Sequence, residues 1–410
     1  HDITKPENEK LSLIGEIPIT GGSAVRLKNG IVLDQDFILS PKDIEVQGEW
    51  ITALTPWRDE EPGGWIDLSN KLVIPGLIDQ HIHGCGGFDV EDASLEALAA
   101  MSEELARHGV TSFCPTVMAR PIEELPPILD MIRAGQRQGL PGAYVHGARL
   151  EGPYLSPLKK GAQKESRLSK PDAGEFLALW NRYSGLIKIV DLAPELEGAE
   201  DFIRRVRSRC VISMAHTAAS YEGALEAFRQ GVGQATHLFN GMAALGHREP
   251  GPAGAVLDSE QVRAELICDG IHIHPAMLRL AFRILGSRAV VVSDSMRAAG
   301  MPDGEYTLGG QKVCVRRGAA LLRDGTLAGS TTNLHQELRN LLRFGIPLAQ
   351  AVKAMTLNPA VQLGADKTTG SIQPGKYADL VVLDQDYEIF MVLVKGKIRW
   401  CGNRAPAECP

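Results

Sequence analysis

Two histidines one residue apart, His81 and His83, close an apolar run that starts at Val73 and is interrupted by Pro75-Gly76. On a strand, residues i and i+2 point to the same side, so the two imidazoles face one way. Neutral imidazole is the commonest protein ligand for borderline metals, and two from one strand make half a site. Further ligand-type residues fall at the ends of later apolar runs: Glu151 closes 143–151, His216 closes 210–216, and His237 lies within 234–238. Four histidines and one glutamate satisfy one or two divalent ions, with Glu151 able to bridge. Asp294 follows the valines at 290–292 and Ser293. A partly desolvated carboxylate beside a metal has the character of a general base that also serves as acid. Taken singly, a histidine at a strand end is an ordinary hydrogen-bonded core residue. Metal-type residues recurring at one strand end after another are a site.

What must position these groups is a set of parallel strands whose C-terminal ends converge. Between about residues 76 and 366, strand-like runs at 74–83, 110–114, 143–151, 187–191, 210–216, 234–238, 264–269 and 289–294 alternate with helix-period stretches such as 95–107, 220–230 and 275–285. Such units repeated over roughly 290 residues have the size and rhythm of an α/β fold of the (β/α)8 TIM-like barrel type, whose catalytic residues sit at the C-terminal strand ends. An open doubly wound sheet is the alternative, but no Gly-x-Gly-x-x-Gly follows the first strand to support a nucleotide site. Residues 335–363 read as helical after the eighth strand. Residues 23–75 and 367–410 carry short strands punctuated by turn signals, and neither piece is long enough for a stable core alone. The two are therefore expected to fold together as a small β-sandwich domain, with the catalytic barrel of 76–366 inserted between them. Residues 1–22 read as a polar N-terminal extension without the apolar stretch of a signal peptide.

Composition excludes several function classes. A chain of 410 residues is too long for one average core, which agrees with a large and a small domain. The net charge of -7, without a Lys/Arg block, argues against nucleic-acid binding. No apolar run approaches the ~18 residues of a membrane span. Seven scattered cysteines without a Cys-x-x-Cys pair fit a reducing, cytoplasmic setting.

With these residues in place, the chain resembles the amidohydrolase superfamily and, within it, the N-acetylglucosamine-6-phosphate deacetylase family. The motifs that carry the resemblance begin with Pro75-Gly-Leu-Ile-Asp79 and His81-x-His83, then Leu150-Glu-Gly-Pro-Tyr154, Leu192-Ala-Pro-Glu195 and Met214-Ala-His216. They continue through Ala235-Thr-His-Leu-Phe-Asn-Gly-Met242, His247-Arg-Glu-Pro-Gly251, Asp269-Gly-Ile-His272, Ser293-Asp294 and Leu327-Ala-Gly-Ser330. The resemblance implies metal ligands at Glu151, His216 and His237, an acid/base at Asp294, and at His81 and His83 a second-metal pair that some members have. It implies substrate contacts at Ala162, Asn240, Gly241, Arg248, His272 and the Leu327-Ala328-Gly329 turn. It also implies hydrolysis of the acetamide of N-acetylglucosamine-6-phosphate to glucosamine-6-phosphate and acetate. The cofactor is one or two divalent ions per subunit, zinc foremost, with iron, manganese or cobalt as alternatives. The assembly implied is a homodimer. The residues agree: a guanidinium at Arg248, on a loop with Gly251 and Pro252, suits bidentate phosphate recognition. His272 is suited to donate to a phosphate or sugar oxygen, supplemented by amides near Asn240 and Gly241.

The chain departs from the family pattern on the substrate side. Gln163 stands where the family usually has His, which keeps a neutral donor for the substrate but loses a titratable one. Gly241 stands where Ala is usual, and residues 330–336 are also unusual. An amidohydrolase acting on a different N-acetylated sugar, sugar phosphate or N-acyl compound is therefore the alternative. A non-catalytic scaffold is disfavoured, because Asp294 and all five ligand-type residues are present.

Overall fold

The computed structural model describes residues 25–57 and 65–402, so the expected extension over 1–22 lies outside the described residues. Its centre is a ring of parallel strands: β1 (Leu77–Ile82), β2 (Val110–Met118), β3 (Ala148–Tyr154), β4 (Ile187–Leu192), β5 (Val211–Met214), β6 (Gln234–Ala235), β7 (Arg263–Leu266) and β8 (Ala289–Val291). Each pairs in parallel with the next. Past the end of β8, the Asp294 N–H donates to the His81 carbonyl at 2.9 Å, joining the last strand to the first. Every residue of β1, β2 and β3 is buried, which is why these strands read as unbroken apolar runs rather than alternating ones. The intervening helices start where side chains cap them: Ser94, Asp172 and Ser220 each accept from the first-turn amide three residues on.

The chain ends meet as the turn-rich pattern requires. Leu72–Pro75 and Leu380–Leu383 pair antiparallel at the heart of an eight-stranded sheet. Alternation makes this sheet two-sided. Val73, Val382 and Leu393 join a separate core with Leu27, Ile44 and Ile51, whereas Ile74, Val381, Leu383 and Val392 enter the barrel's core. The strand that carries His81 thus begins one residue after the sheet. Gly76 makes the turn, where a Cβ would fall 2.2 Å from Thr111 Oγ1.

Several expected elements differ in extent. The runs expected at 210–216, 234–238, 264–269 and 289–294 leave the ladder at Met214, Ala235, Leu266 and Val291. In three of them the backbone turns away: His216, His237 and Asp294 have φ of 42°, 31° and 47°, outside the region of a regular strand. The run at 143–151 is split into Tyr144–Val145 and β3, with Gly147 between them where the chain passes so close to Leu186 that a Cβ would lie 2.6 Å from its carbonyl. The helical stretch 335–363 is three helices, Leu334–Arg343, Leu348–Met355 and Leu357–Gln362. Gly345, at φ 85°, and Pro347 separate the first two. An unexpected three-stranded antiparallel sheet, Gly304–Leu308, Gln311–Arg316 and Ala319–Leu321, follows β8. Its Leu308, Val313 and Val315 pack on Met118 and Met296 beside the strand ends.

Candidate metal centre

Glu151, on β3, stands at the middle of the converging residues. Its Oε1 lies 3.1 Å from His216 Nε2 and 3.3 Å from His237 Nε2, and its Oε2 lies 3.2 Å from His83 Nε2. Facing it, Asp294 Oδ1 lies 3.2 Å from His81 Nε2 and 3.3 Å from His83 Nε2. All six side chains are buried. Two triads share the glutamate, His81/His83/Glu151 and Glu151/His216/His237, each with its ligand atoms within 4.8 Å of one another.

The opposite ring nitrogens decide what this cluster is for. The Nδ1 of His83 lies 3.2 Å from the Thr116 carbonyl, that of His216 2.8 Å from Lys159 and that of His237 3.1 Å from Asn240. His81 Nδ1 lies 3.1 Å from Glu265 Oε2. Carbonyl and carboxylate oxygens only accept, so each Nδ1 carries hydrogen and each Nε2 presents its lone pair to the centre. His216 and His237 Nε2 approach to 3.2 Å, and His81 Nε2 is buried without a hydrogen-bond partner. Converging buried lone pairs with carboxylates among them are what a divalent cation satisfies, and the residues fit one.

Protons compete for the same positions. Burial by itself pushes His237 down, but Glu151 and Asp294 outweigh it and raise the ring to about 9. His83 likewise stands well above its ordinary value because Asp294 and Glu151 outweigh burial. Burial pushes Glu151 up, yet contact with His216, His237 and His83 holds it well below the usual carboxylate range. Asp294 is lowered in the same way by His81 and His83.

Beneath the histidines lies a polar layer that the sequence reading missed. Fully buried Arg149 donates to both Asp191 oxygens at 3.0 Å, to Thr236 Oγ1 at 2.8 Å and to Glu265. Burial pushes Glu265 up, but Arg149 and His81 outweigh it and hold the carboxyl down to about 2. A signal was present: Arg149 precedes Glu151 by two residues on a buried strand, so both point into the barrel.

A cavity of about 210 Å³ opens over the centre. Of the substrate-side residues expected from the sequence, Ala162, Gln163, Asn240, Gly241, His272, Leu327 and Gly329 line it. Ala328 does not; it is buried against the hydrophobic cluster of Met118 and Leu308 and supports the turn from behind. Arg248 is exposed and lies outside the lining. Gln163 is tied to the carboxylate centre: its amide donates to Glu151 Oε2 at 2.7 Å and accepts from the Ala119 N–H at 3.0 Å. Gly241, at φ 62°, closes down on the imidazoles, where a Cβ would sit 2.9 Å from His216 Nδ1. His272 Nδ1 is held by Asp269 Oδ2 at 2.7 Å. Met118, Leu308 and Thr326 also line the cavity and were not singled out from the sequence. A larger basin of about 960 Å³, lined by Ile187, Val211 and Arg263, lies at the N-terminal strand ends and contains neither triad.

The sequence profile of the amidohydrolase family matches residues 72–399. The chain is 36% identical over 389 residues to N-acetylglucosamine-6-phosphate deacetylase of Vibrio furnissii, covering 94% of this chain and 96% of that protein. It is 37% identical over 330 residues to N-acetylgalactosamine-6-phosphate deacetylase of Escherichia coli O157:H7, covering 80% and 88%. The crystal structure of N-acetylglucosamine-6-phosphate deacetylase from Pasteurella multocida superposes with a TM-score of 0.88 at 29% identity, over 93% of this chain and 100% of that one.

Proposed function

The chain belongs to the amidohydrolase family, and from that premise we propose that it hydrolyses the acetamide of N-acetylglucosamine-6-phosphate to glucosamine-6-phosphate and acetate. The observation that carries this reading is Glu151 shared by two histidine triads with Asp294 facing it. In this reading Glu151, His216 and His237 hold one divalent ion, and His81 and His83 with Glu151 hold a second. Imidazole and carboxylate donors suit zinc first, with iron, manganese or cobalt taken according to availability. Such an ion supplies Lewis acidity, making water a nucleophile at neutral pH and polarising the acetamide carbonyl.

The proton relay falls to the protein. Asp294 accepts the proton of the attacking water at its carboxylate and delivers it to the amine nitrogen, which leaves poorly unless protonated. His272 and the main chain at Asn240 and Gly241 hold the sugar and phosphate from the cavity wall, with Ala162, Leu327 and Gly329 shaping it. Gln163, bonded to Glu151, orients the metal carboxylate as well as lining the cavity. Arg248 lies on an exposed loop outside the cavity lining, which suits a homodimer in which this loop completes the partner's phosphate site.

In this reading residues 76–366 form the catalytic unit, and 23–75 with 367–410 support it. The setting is cytoplasmic, with no nucleic-acid or membrane partner. Cys85, Cys114, Cys210, Cys268 and Cys314 carry free thiols, and no helix among the described residues is long and apolar enough to cross a membrane.

A second reading, the galacto epimer as substrate, is favoured by one relative's name and by the departures at Gln163 and Gly241. Acetate release from N-acetylglucosamine-6-phosphate, its galacto epimer and unphosphorylated N-acetylglucosamine, assayed side by side, tests both. Turnover of the first compound far above the others is expected. Preference for the epimer would replace the first reading by the second, and silence on all three by the metal-loaded protein would sink both.

A further inference from the structure

We infer that Glu265, on β7 in the barrel interior, is the positioning residue for His81 and sets the strength of the His81/His83 metal position far more than that of the other, where it meets only the main-chain N–H of His237 at 3.4 Å. The inference rests on the reading of His81 as a ligand. Three of the four imidazoles are fixed by main-chain carbonyls, whereas His81 alone leans on a side chain, Glu265 Oε2 at 3.1 Å.

That carboxylate is locked in place. Its Oε1 accepts from Gln80 Nε2 at 2.7 Å, from Gln234 Nε2 at 2.9 Å and from Arg149 Nη1. Rotating it away would take a charged partner from a buried guanidinium and from two buried amides at once. With Oε1 saturated by donors, Oε2 receives the His81 Nδ1 hydrogen at 3.1 Å beside a longer bond from the His237 main-chain N–H at 3.4 Å, and the His81 lone pair is forced onto Nε2. A carboxylate behind a ligating imidazole fixes its tautomer and raises its basicity, and losing it typically lowers metal affinity 10–100-fold. The Nδ1 atoms of His83, His216 and His237 face neutral carbonyls instead.

The test is titration of the metal-stripped protein with Co2+, followed by visible absorption and native mass spectrometry. In Glu265→Gln one equivalent is expected to bind as in the wild type, and the second to weaken about 10–100-fold. A folded Glu265→Gln that binds both equivalents with wild-type affinity overturns the inference. His81→Asn separates the premise from the inference. If its titration matches the wild type, His81 is no ligand and both fail. If it loses the second equivalent while Glu265→Gln keeps it, only the positioning role fails.

A second measurement needs no Glu265 variant: 15N-histidine NMR of the zinc-loaded wild type, with His81 assigned through His81→Asn. An Nδ1–H tautomer is expected at His81, and an Nε2–H tautomer would refute the inference.

Discussion

Replacing Asp294 with Asn isolates proton transfer from everything else this residue does. Its backbone is left-handed at φ 47°, a conformation that costs most side chains about 1–2 kcal/mol but that Asn and Asp adopt readily. The bond from its N–H to the His81 carbonyl at 2.9 Å, and the bond its own carbonyl accepts from Ser330 at 2.8 Å, are main-chain and survive the change. The amide keeps the size of the carboxylate and leaves an oxygen to face His81 and His83. What it removes is the capacity to take up a proton and return it. General acid–base transfer is worth about 10²–10⁴-fold, or about 2.7–5.5 kcal/mol of barrier. We therefore expect kcat to fall at least about 100-fold with metal content unchanged. Acetate release by the loaded protein and metal per subunit by elemental analysis measure the two quantities. A fully loaded variant within about threefold of wild-type kcat, where general acid–base loss predicts far more, would remove Asp294 from the mechanism. A variant that sheds metal instead would make it chiefly a ligand. Asp294→Ala should add the left-handed backbone penalty of about 1 kcal/mol, lowering Tm as well as kcat.

Three further outcomes are expected. Metal uptake by the stripped protein should release protons at pH 7, because His237 at about 9 and the raised His83 are protonated there and must lose a proton to bind. Affinity should thus rise with pH towards about 9, and calorimetry in two buffers of different ionisation heat that found no proton release would contradict the site. Gln163→Leu strips a donor from charged Glu151 and an acceptor from the Ala119 N–H, and should cost about 2–3 kcal/mol in urea unfolding. A cost below about 0.5 kcal/mol would mean those bonds contribute nothing. Asp379 is pushed by burial from 3.8 to about 6, so the fold favours its protonated form. The stability that form confers is full below pH 3.8 and is lost as pH rises through about 6, amounting to about 3 kcal/mol once the group is ionised. Asp379→Asn should flatten this dependence, and an unaltered pH profile of stability would refute it.

The buried cluster was legible because metal-type chemistry allows few residue types and the barrel allows few places. His81, His83, Glu151, His216, His237 and Asp294 stand near the ends of apolar runs, and such runs are what strands buried on both faces look like. The partners of the polar layer were not legible. Arg149 reaches Asp191 and Glu265, 42 and 116 positions away, and a polar residue inside an apolar strand does not say which other strand answers it. Arg248 was legible as a type and not as a place, since loop composition does not fix where a loop points. The sheet at 304–321 carried a period-2 signal, with Val313 and Val315 buried between exposed Lys312 and Arg316, that went unread.

The strand ends show why boundaries were the weakest part of the sequence reading and why they matter most for the site. Residues 234–238 look like one strand, yet the chain leaves the ladder after Ala235 and turns at His237, Phe239 and Gly241, with φ of 31°, 77° and 62°. Only that turn brings the Asn240 carbonyl back to His237 Nδ1 and so aims Nε2 at Glu151. Left-handed residues other than Gly, Asn and Asp cost about 1–2 kcal/mol each. The strain at His216 and His237 is sustained by the buried strands on which they stand. Orphaned lone pairs such as His81 Nε2 add to that cost until a cation takes them. An ion that binds only the folded chain would offset both, so the same turns that blurred the strand pattern would tie the barrel's stability to metal binding.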